Sequence, residues 1–210
     1  MKPKAYYPVN LDLDGKLCLV VGGGDIAAHK AKALLAFGAR VLVVSPEFKK
    51  EMTALLLSRK VRCIKRGYQK KDIKGVSLVI AATNVPSVNK MIARHAQSRN
   101  ILINVVDVPK LCNFIVPSSL KRGPLTIAVS TGGHSPVLAQ HIRNECEICR
   151  PAYYGTLAKM LGSIRAKVMN RYATKAERKG VYTRILDSEV INLLKNNKVR
   201  EAKALAQKLI

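Results

Sequence analysis

The sequence predicts an α/β fold: a doubly wound parallel sheet, then a small α+β region, then a helical C-terminal segment. Three observations lead there. From Lys16 to Val105 short apolar runs alternate with helix-like segments, the pattern of parallel strands joined by crossover helices. A glycine turn, Gly22-Gly23-Gly24, stands between the first run and the first helix. After Asp107 the texture changes to alternating strands and then to helices rich in Lys and Arg.

The elements follow in order. Strands are expected at Leu17–Val21, Arg40–Val44, Val61–Lys65, Ser77–Ala81 and Ile101–Val105. Between them, 25–37 reads as a helix ended by Gly38, and 87–98 carries Val88, Met91, Ile92 and His95 at helical spacing. In the second region 113–117 and 124–130 alternate as antiparallel strands, with a turn at Lys121, Arg122 and Gly123. Ser135 reads as an N-cap with Pro136 at the first helical position, opening a helix to about Arg150 that Pro151 breaks. From 152 to 210 the helices are expected to divide near Gly180 and again at Asn196 and Asn197. The expected domains are therefore 1–112, 113–150 and 151–210.

Composition bounds the function. The 210 residues include 37 Lys and Arg against 13 Asp and Glu, a formal charge of +24, so an anionic partner or substrate is expected. A merely solvated basic surface is the plain alternative. No run approaches the ~18 apolar residues of a membrane span, and the start lacks the apolar core of a signal peptide, so a soluble, cytoplasmic protein without a membrane role is expected. Five cysteines, an odd number, argue for reduced thiols over a disulfide framework.

The segment KLCLVVGGGDIAAHKAKALLAFGARVLVVSP sets Gly22, Gly24 and Ala27 on the pattern GxGxxG/A, after a strand and before a helix. In such a Rossmann-like unit the first glycine permits the turn, the second lets backbone approach a pyrophosphate, and the third position allows close helix–strand packing. The expected cofactor-binding set is Gly22, Gly23, Gly24, Asp25 and Ile26, with Pro46 and Glu47 after the second strand and Thr83 after the fourth. The second strand ends in Val44-Ser45-Pro46, where the fingerprint has an acidic residue. Glu47 can hold a ribose, as NAD requires, or Ser45 with Lys49 and Lys50 can receive a 2′-phosphate; both stay open. Asp25 is read as a helix cap or a ribose neighbour, with capping preferred.

The strings VVGGGDIAAHKAKALLAFGA, LVIAATN, NVVDVPKLCNFIVPS and GPLTIAVSTGGHSPVLAQHIR together resemble the precorrin-2 dehydrogenase family, which includes the N-terminal half of siroheme synthases. The resemblance covers about residues 5–150; beyond Pro151 only a helical character is shared. It implies oxidation of precorrin-2 to sirohydrochlorin with NAD as cofactor, and in some members insertion of ferrous iron, an activity the sequence leaves open. It also implies a Rossmann domain, a dimerisation region over 113–150 with exchanged strands, a helical tail, and a homodimer with its active site between the units. The family's catalytic aspartate falls on Asp107, with a turn cap before Pro109 as the structural alternative. Thr131 falls where some siroheme synthases carry a serine modified by phosphate.

STGGHSP can offer an anion cradle through Ser130, Thr131, Gly132, Gly133 and Ser135, or be only a glycine turn with an N-cap. Lys110, Asn113, Ser130, Thr131, Gly132 and His134 are the expected substrate contacts, with Lys121 and Arg122 as further partners for the carboxylates of the tetrapyrrole. Cys146 and Cys149 form a CxxC near His141, a weak signal for metal or redox chemistry, and no metal site is expected. His29 and His95 read as packing or surface residues. The rival of a different class is a Rossmann-type nucleotide sensor whose basic tail binds nucleic acid; few aromatics and no recognisable motif in 151–210 make nucleic acid the weaker expectation. A third reading is a member that binds a tetrapyrrole without turnover and passes it on.

Overall fold

The strand β1 (Leu17–Val21) is apolar along its whole length because both of its faces are covered. In the computed structural model, which describes residues 5–58, 60–149 and 152–210, Cys18 and Val20 pack against α1 (Asp25–Ala36) and α2 (Lys50–Leu57). Leu19 and Val21 instead pack with Ile92, Ala93 and Ala96 of α3 (Pro86–Gln97) and with Ile73. Each Val, Leu or Ile side chain among these, once fully buried, contributes about 1.5–3 kcal/mol.

With β2 (Arg40–Ser45), β3 (Val61–Lys65), β4 (Leu78–Ala81) and β5 (Leu102–Val105), β1 forms an all-parallel sheet in the order β3-β2-β1-β4-β5. This is the predicted doubly wound sheet, each strand end within one residue of its expected place. The chain runs outward from β1 to β3 and returns to β4 on the other side of β1. A crevice therefore opens at the carboxyl ends of β1 and β4, where such sheets bind ligands. Gly38, at φ +79, ends α1 with the Ala39 N–H donating to the Leu34 carbonyl at 3.2 Å, as the glycine signal predicts.

Cα packing divides the chain into two compact units with the boundary between Val116 and Pro117. In the second, β6 (Ser118–Arg122) and β7 (Leu125–Val129) form an antiparallel hairpin. This corrects two expectations. The first strand starts after, not within, 113–117, because Asn113 is taken up by the edge of β5. Lys121 and Arg122 pair in the ladder with Thr126 and Leu125, leaving Gly123 at φ +59 and Pro124 to make the turn.

Ser135 caps α4 (Pro136–Cys149), its Oγ accepting the Leu138 N–H at 3.1 Å; Arg150 and Pro151 lie outside the described residues. Four helices follow, α5 (Tyr153–Arg171), α6 (Lys175–Leu186), α7 (Val190–Lys195) and α8 (Val199–Lys208). They share a core of Leu157, Met160, Ile164, Val168, Val181, Ile185, Val190, Leu194, Ala202 and Ala206. Gly180 does not divide this segment: it lies inside α6, and the break comes earlier, at Tyr172–Thr174. There Thr174 and Glu177 cap each other's backbone, a T-x-x-E box written in the sequence. The break at Asn196–Asn197 is as expected, with Asn197 at φ +58. Among the described residues no helix is long and apolar enough to cross a membrane.

Candidate dinucleotide and acid/base site

The glycine turn is built by three different constraints. Gly22 continues the ladder by donating its N–H to the Val44 carbonyl at 2.9 Å, at φ +129, and a Cβ there would run into the Ala82 carbonyl. Gly23 accepts the Lys49 N–H at 2.9 Å, and its missing side chain is where the Glu47 carbonyl sits. Gly24 is the N-cap of α1 at φ −85, and a Cβ on it would meet nothing within 4 Å. Its open flank, beside a helix start that no side chain caps, fits an approaching pyrophosphate, drawn by the unpaired amides and the helix dipole. Gly23, which the fingerprint leaves unspecified, proves as restricted as Gly22. Ala27 is fully buried against the sheet, in the packing role expected of it.

Around this turn the expected set divides. Asp25 does not cap the helix, because Gly24 holds the cap position; its carboxylate lies 3.6 Å from Lys49 Nζ, both side chains well exposed. Ser45 is 7% exposed, with its Oγ turned toward Gly23, so it is closed to a 2′-phosphate. Pro46 and Glu47 are exposed just past β2. Ile26 is 53% exposed at the crevice. The Thr83 hydroxyl is used internally: it donates to Asn89 Oδ1 at 2.8 Å and accepts the Val85 N–H at 3.2 Å, while Asn89 Nδ2 donates to the Thr83 carbonyl at 2.9 Å. Asn89, a buried polar residue on the packed face of α3, is a part of the site that sequence reasoning missed. An asparagine among Val88, Ile92 and Ala93 was the available signal.

A cleft of about 80 Å³ is lined by Ile26, Ala82, Thr83, Asn84, Val106 and Asp107. The fold thus brings the start of α1, the end of β4 and the end of β5 to one point. Asp107 stands there at φ +58, a left-handed conformation that Asp tolerates better than most residues. Among the described residues its carboxylate has no hydrogen-bond or ion-pair partner. It is not the turn cap that the structural alternative requires. Asp107 is exposed, so this chain by itself does not bury it in a low-dielectric pocket. Lys110 follows on the short turn Pro109–Leu111, also exposed. The Asn113 amide is committed to the edge of β5.

In the second unit the STGGHSP hydroxyls fold back on their own turn. Thr131 Oγ1 accepts the Ser135 N–H at 2.9 Å and donates to the Ser135 carbonyl at 3.0 Å, and Ser130 Oγ accepts the Gly132 N–H at 3.1 Å. His134 Nδ1 lies 2.7 Å from the Thr131 carbonyl, so that nitrogen carries the proton. The arrangement is the glycine turn with an N-cap; it corrects the expectation that these hydroxyls form a cradle. Gly132 and Gly133, at φ +65 and +89, make the reversal. Arg122 pairs with Glu147, which Arg143 also meets at 2.9 Å, and Lys121 is exposed on β6.

Other titratable groups serve the scaffold. Burial pushes the Cys18 and Cys63 thiols up to about 11, so neither is a nucleophile at neutral pH. The Arg66 guanidinium holds the Asp72 carboxyl below its ordinary value. His141 lies 3.4 Å from Glu145, and the Cys149 side chain falls outside the described residues. Among the described residues no group of three His, Cys, Asp or Glu side chains is placed to hold a metal.

Three family models match successive stretches of the chain: "Putative NAD(P)-binding" over residues 9–118, "Sirohaem biosynthesis protein central" over 122–147, and "Sirohaem synthase dimerisation region" over 153–210. This chain belongs to the precorrin-2 dehydrogenase and siroheme synthase family. Dimerisation is the description carried by 153–210, where the sequence reading assigns it to 113–150. This family member is 39% identical over 205 residues to the siroheme synthase of Pseudomonas entomophila (strain L48), covering 98% of the chain and 44% of the relative. It is 44% identical over 172 residues to that of Methylobacillus flagellatus, covering 82% and 37%. The chain spans less than half the length of these curated relatives. The solved structure of SirC, precorrin-2 dehydrogenase, superposes with a TM-score of 0.76 at 28% identity, covering 97% of this chain and 100% of that one.

Proposed function

We propose that this chain is an NAD-dependent precorrin-2 dehydrogenase, forming sirohydrochlorin in siroheme biosynthesis. The observation that carries the reading is the Asp107 carboxylate, unpaired among the described residues, in the cleft that also receives the start of α1 beside the glycine turn. Gly24 and the first amides of α1 hold the dinucleotide's pyrophosphate, and Glu47, exposed beyond β2, takes the ribose; the closure of Ser45 favours NAD over its 2′-phosphorylated form. The bound nicotinamide supplies a hydride acceptor. Asp107 takes the proton that must leave with the hydride, since a carboxylate with no competing partner among the described residues is free to accept one. Ile26 gives the cleft one apolar wall.

Precorrin-2 is a polycarboxylate, and a chain of charge +24 attracts it. Lys110, nearest Asp107 in sequence, and Lys121 are the first cations we assign to it; Asn113, Ser130, Gly132 and His134, all exposed, and the half-buried Thr131 stay in the proposed substrate set. We take residues 1–112 as the nucleotide domain, 113–150 as the small α+β region and 151–210 as the helical domain, in a cytoplasmic homodimer. Ferrous iron is a second substrate in this reading, Asp107 receiving the pyrrole protons that the metal displaces.

Anaerobic incubation of the purified protein with NAD and precorrin-2, followed by absorption spectroscopy, tests the proposal. Equimolar NADH and sirohydrochlorin are expected, and siroheme after ferrous iron is added. Nucleotide binding with no turnover would overturn it and leave the sensor or carrier reading. The sensor reading further requires an affinity for DNA or RNA that falls steeply with salt.

A further inference from the structure

After Asp107 the chain is fastened back onto β5 by two neighbouring side chains. Cys112, 2% exposed, accepts the Val105 N–H on its Sγ at 3.1 Å, and its thiol proton is shared between the carbonyls of Val105 at 3.3 Å and Val108 at 3.4 Å. Asn113 continues the clasp: its Oδ1 accepts the Ile103 N–H at 2.7 Å, its Nδ2 donates to the Ile101 carbonyl at 3.0 Å, and its own N–H donates to the Ile103 carbonyl at 3.1 Å. Asn104 Nδ2 donates to the Phe114 carbonyl at 3.2 Å from the same strand. The outer edge of β5 is thereby satisfied by side chain and loop, in place of another strand.

The segment Val106–Leu111 is left as a loop pinched at its base, with Asp107 held at φ +58. A non-glycine residue stays in that region only where its surroundings fix it. The thiol does so from both sides, binding Val105, two residues before Asp107, and Val108, one after. A buried cysteine used only as a small apolar filler would have no need to exchange hydrogen bonds with main chain on either side of one carboxylate.

We propose that Cys112 is a positioning residue for Asp107, setting the backbone that aims the carboxylate into the cleft, with Asn113 closing the strand edge beneath it. This rests on the reading of Asp107 as the proton acceptor. Three substitutions separate polar from space-filling roles: Cys112→Ser keeps a donor and an acceptor, Cys112→Val keeps apolar bulk, and Cys112→Ala keeps neither.

With precorrin-2 and NAD, Cys112→Val and Cys112→Ala are expected to lower kcat tenfold or more, with the Kd for NAD within twofold of the parent. Cys112→Ser is expected to stay within threefold in kcat. In an Asp107→Asn background, Cys112→Val should cost nothing further, because the group it positions is gone. Parental kcat in Cys112→Val, or a Ser variant as slow as the Val variant, overturns the inference. Should Cys112→Ala fail to fold, the Ser and Val variants carry the same comparison. Full turnover in Asp107→Asn removes the reading beneath it as well; loss there beside a fully active Cys112→Val removes the inference alone.

Discussion

Neighbouring glycines in one turn are predicted to fail in different ways when each receives a methyl group. At Gly24 the backbone, φ −85 and ψ −174, is open to any residue, and an added Cβ meets nothing within 4 Å. Alanine there loses about 0.5–1 kcal/mol as a helix N-cap and regains about 0.4–1 kcal/mol by restricting the unfolded chain, so the melting temperature should hardly move. The methyl nevertheless occupies the flank assigned to the pyrophosphate. A tenfold or larger rise in the Kd for NAD is expected, a loss of about 1.4 kcal/mol or more. At Gly23 the same methyl meets the Glu47 carbonyl, a backbone atom held in place by the Lys49–Gly23 hydrogen bond. Overpacking of this kind costs about 1–3 kcal/mol, which for a chain of this size lowers Tm by roughly 2–12 °C. Calorimetric titration with NAD beside thermal denaturation reads both effects. A Gly24→Ala protein that binds NAD as the parent does would refute the assignment of that open flank to the cofactor.

Other consequences can be checked with the same protein. Asp107→Asn keeps a residue that accepts φ +58, so stability should stay within ~0.5 kcal/mol, while kcat falls about 10²–10⁴-fold; steady-state turnover beside a melting curve decides it. Asp72 is 7% exposed and bonded through both oxygens to Arg66, at 2.6 and 2.8 Å. Asp72→Asn is expected to cost about 2–4 kcal/mol in urea denaturation, discounted because Arg66 is partly exposed. With its folded pKa lowered, the Asp72 carboxylate gives stability that is present above its unfolded value and lost as pH falls through the folded one. His95, whose Nδ1 lies 3.2 Å from the Tyr68 hydroxyl, has its pKa lowered first by burial and then by Lys70, Arg94 and Arg99. Its neutral ring therefore supports the fold above pH 6.5, and melting points should decline as pH drops below that value, with a shallower decline in His95→Gln. Thr174→Ala removes the cap of α6 and should cost about 1 kcal/mol in the same denaturation series.

The architecture of the first unit was legible because its signals are local. Strands covered on both faces are written as runs such as LCLVV, and a strand–glycine–helix turn has few other sequence forms. Asp107 enters the proposed site through the resemblance carried by NVVDVPKLCNF. The Thr174–Glu177 box was equally plain in the sequence, and reading Gly180 as the break overlooked it: one glycine inside a helix costs about 1 kcal/mol, which packing of Val181 and Ile185 readily exceeds.

What the sequence by itself determined is the order of elements, the strand–glycine–helix turn and the family, since each depends on residues close together in the chain. Tertiary structure alone decided which polar atoms stay open. Ser130, Thr131 and Asn113 carry the chemistry of ligand contacts, yet their groups are spent on backbone brought beside them by folding, whereas the carboxylate of Asp107 is left without a partner among the described residues. Hydrogen-bond donors and acceptors are claimed by whatever the folded chain sets within about 3 Å, and no local pattern records that neighbourhood.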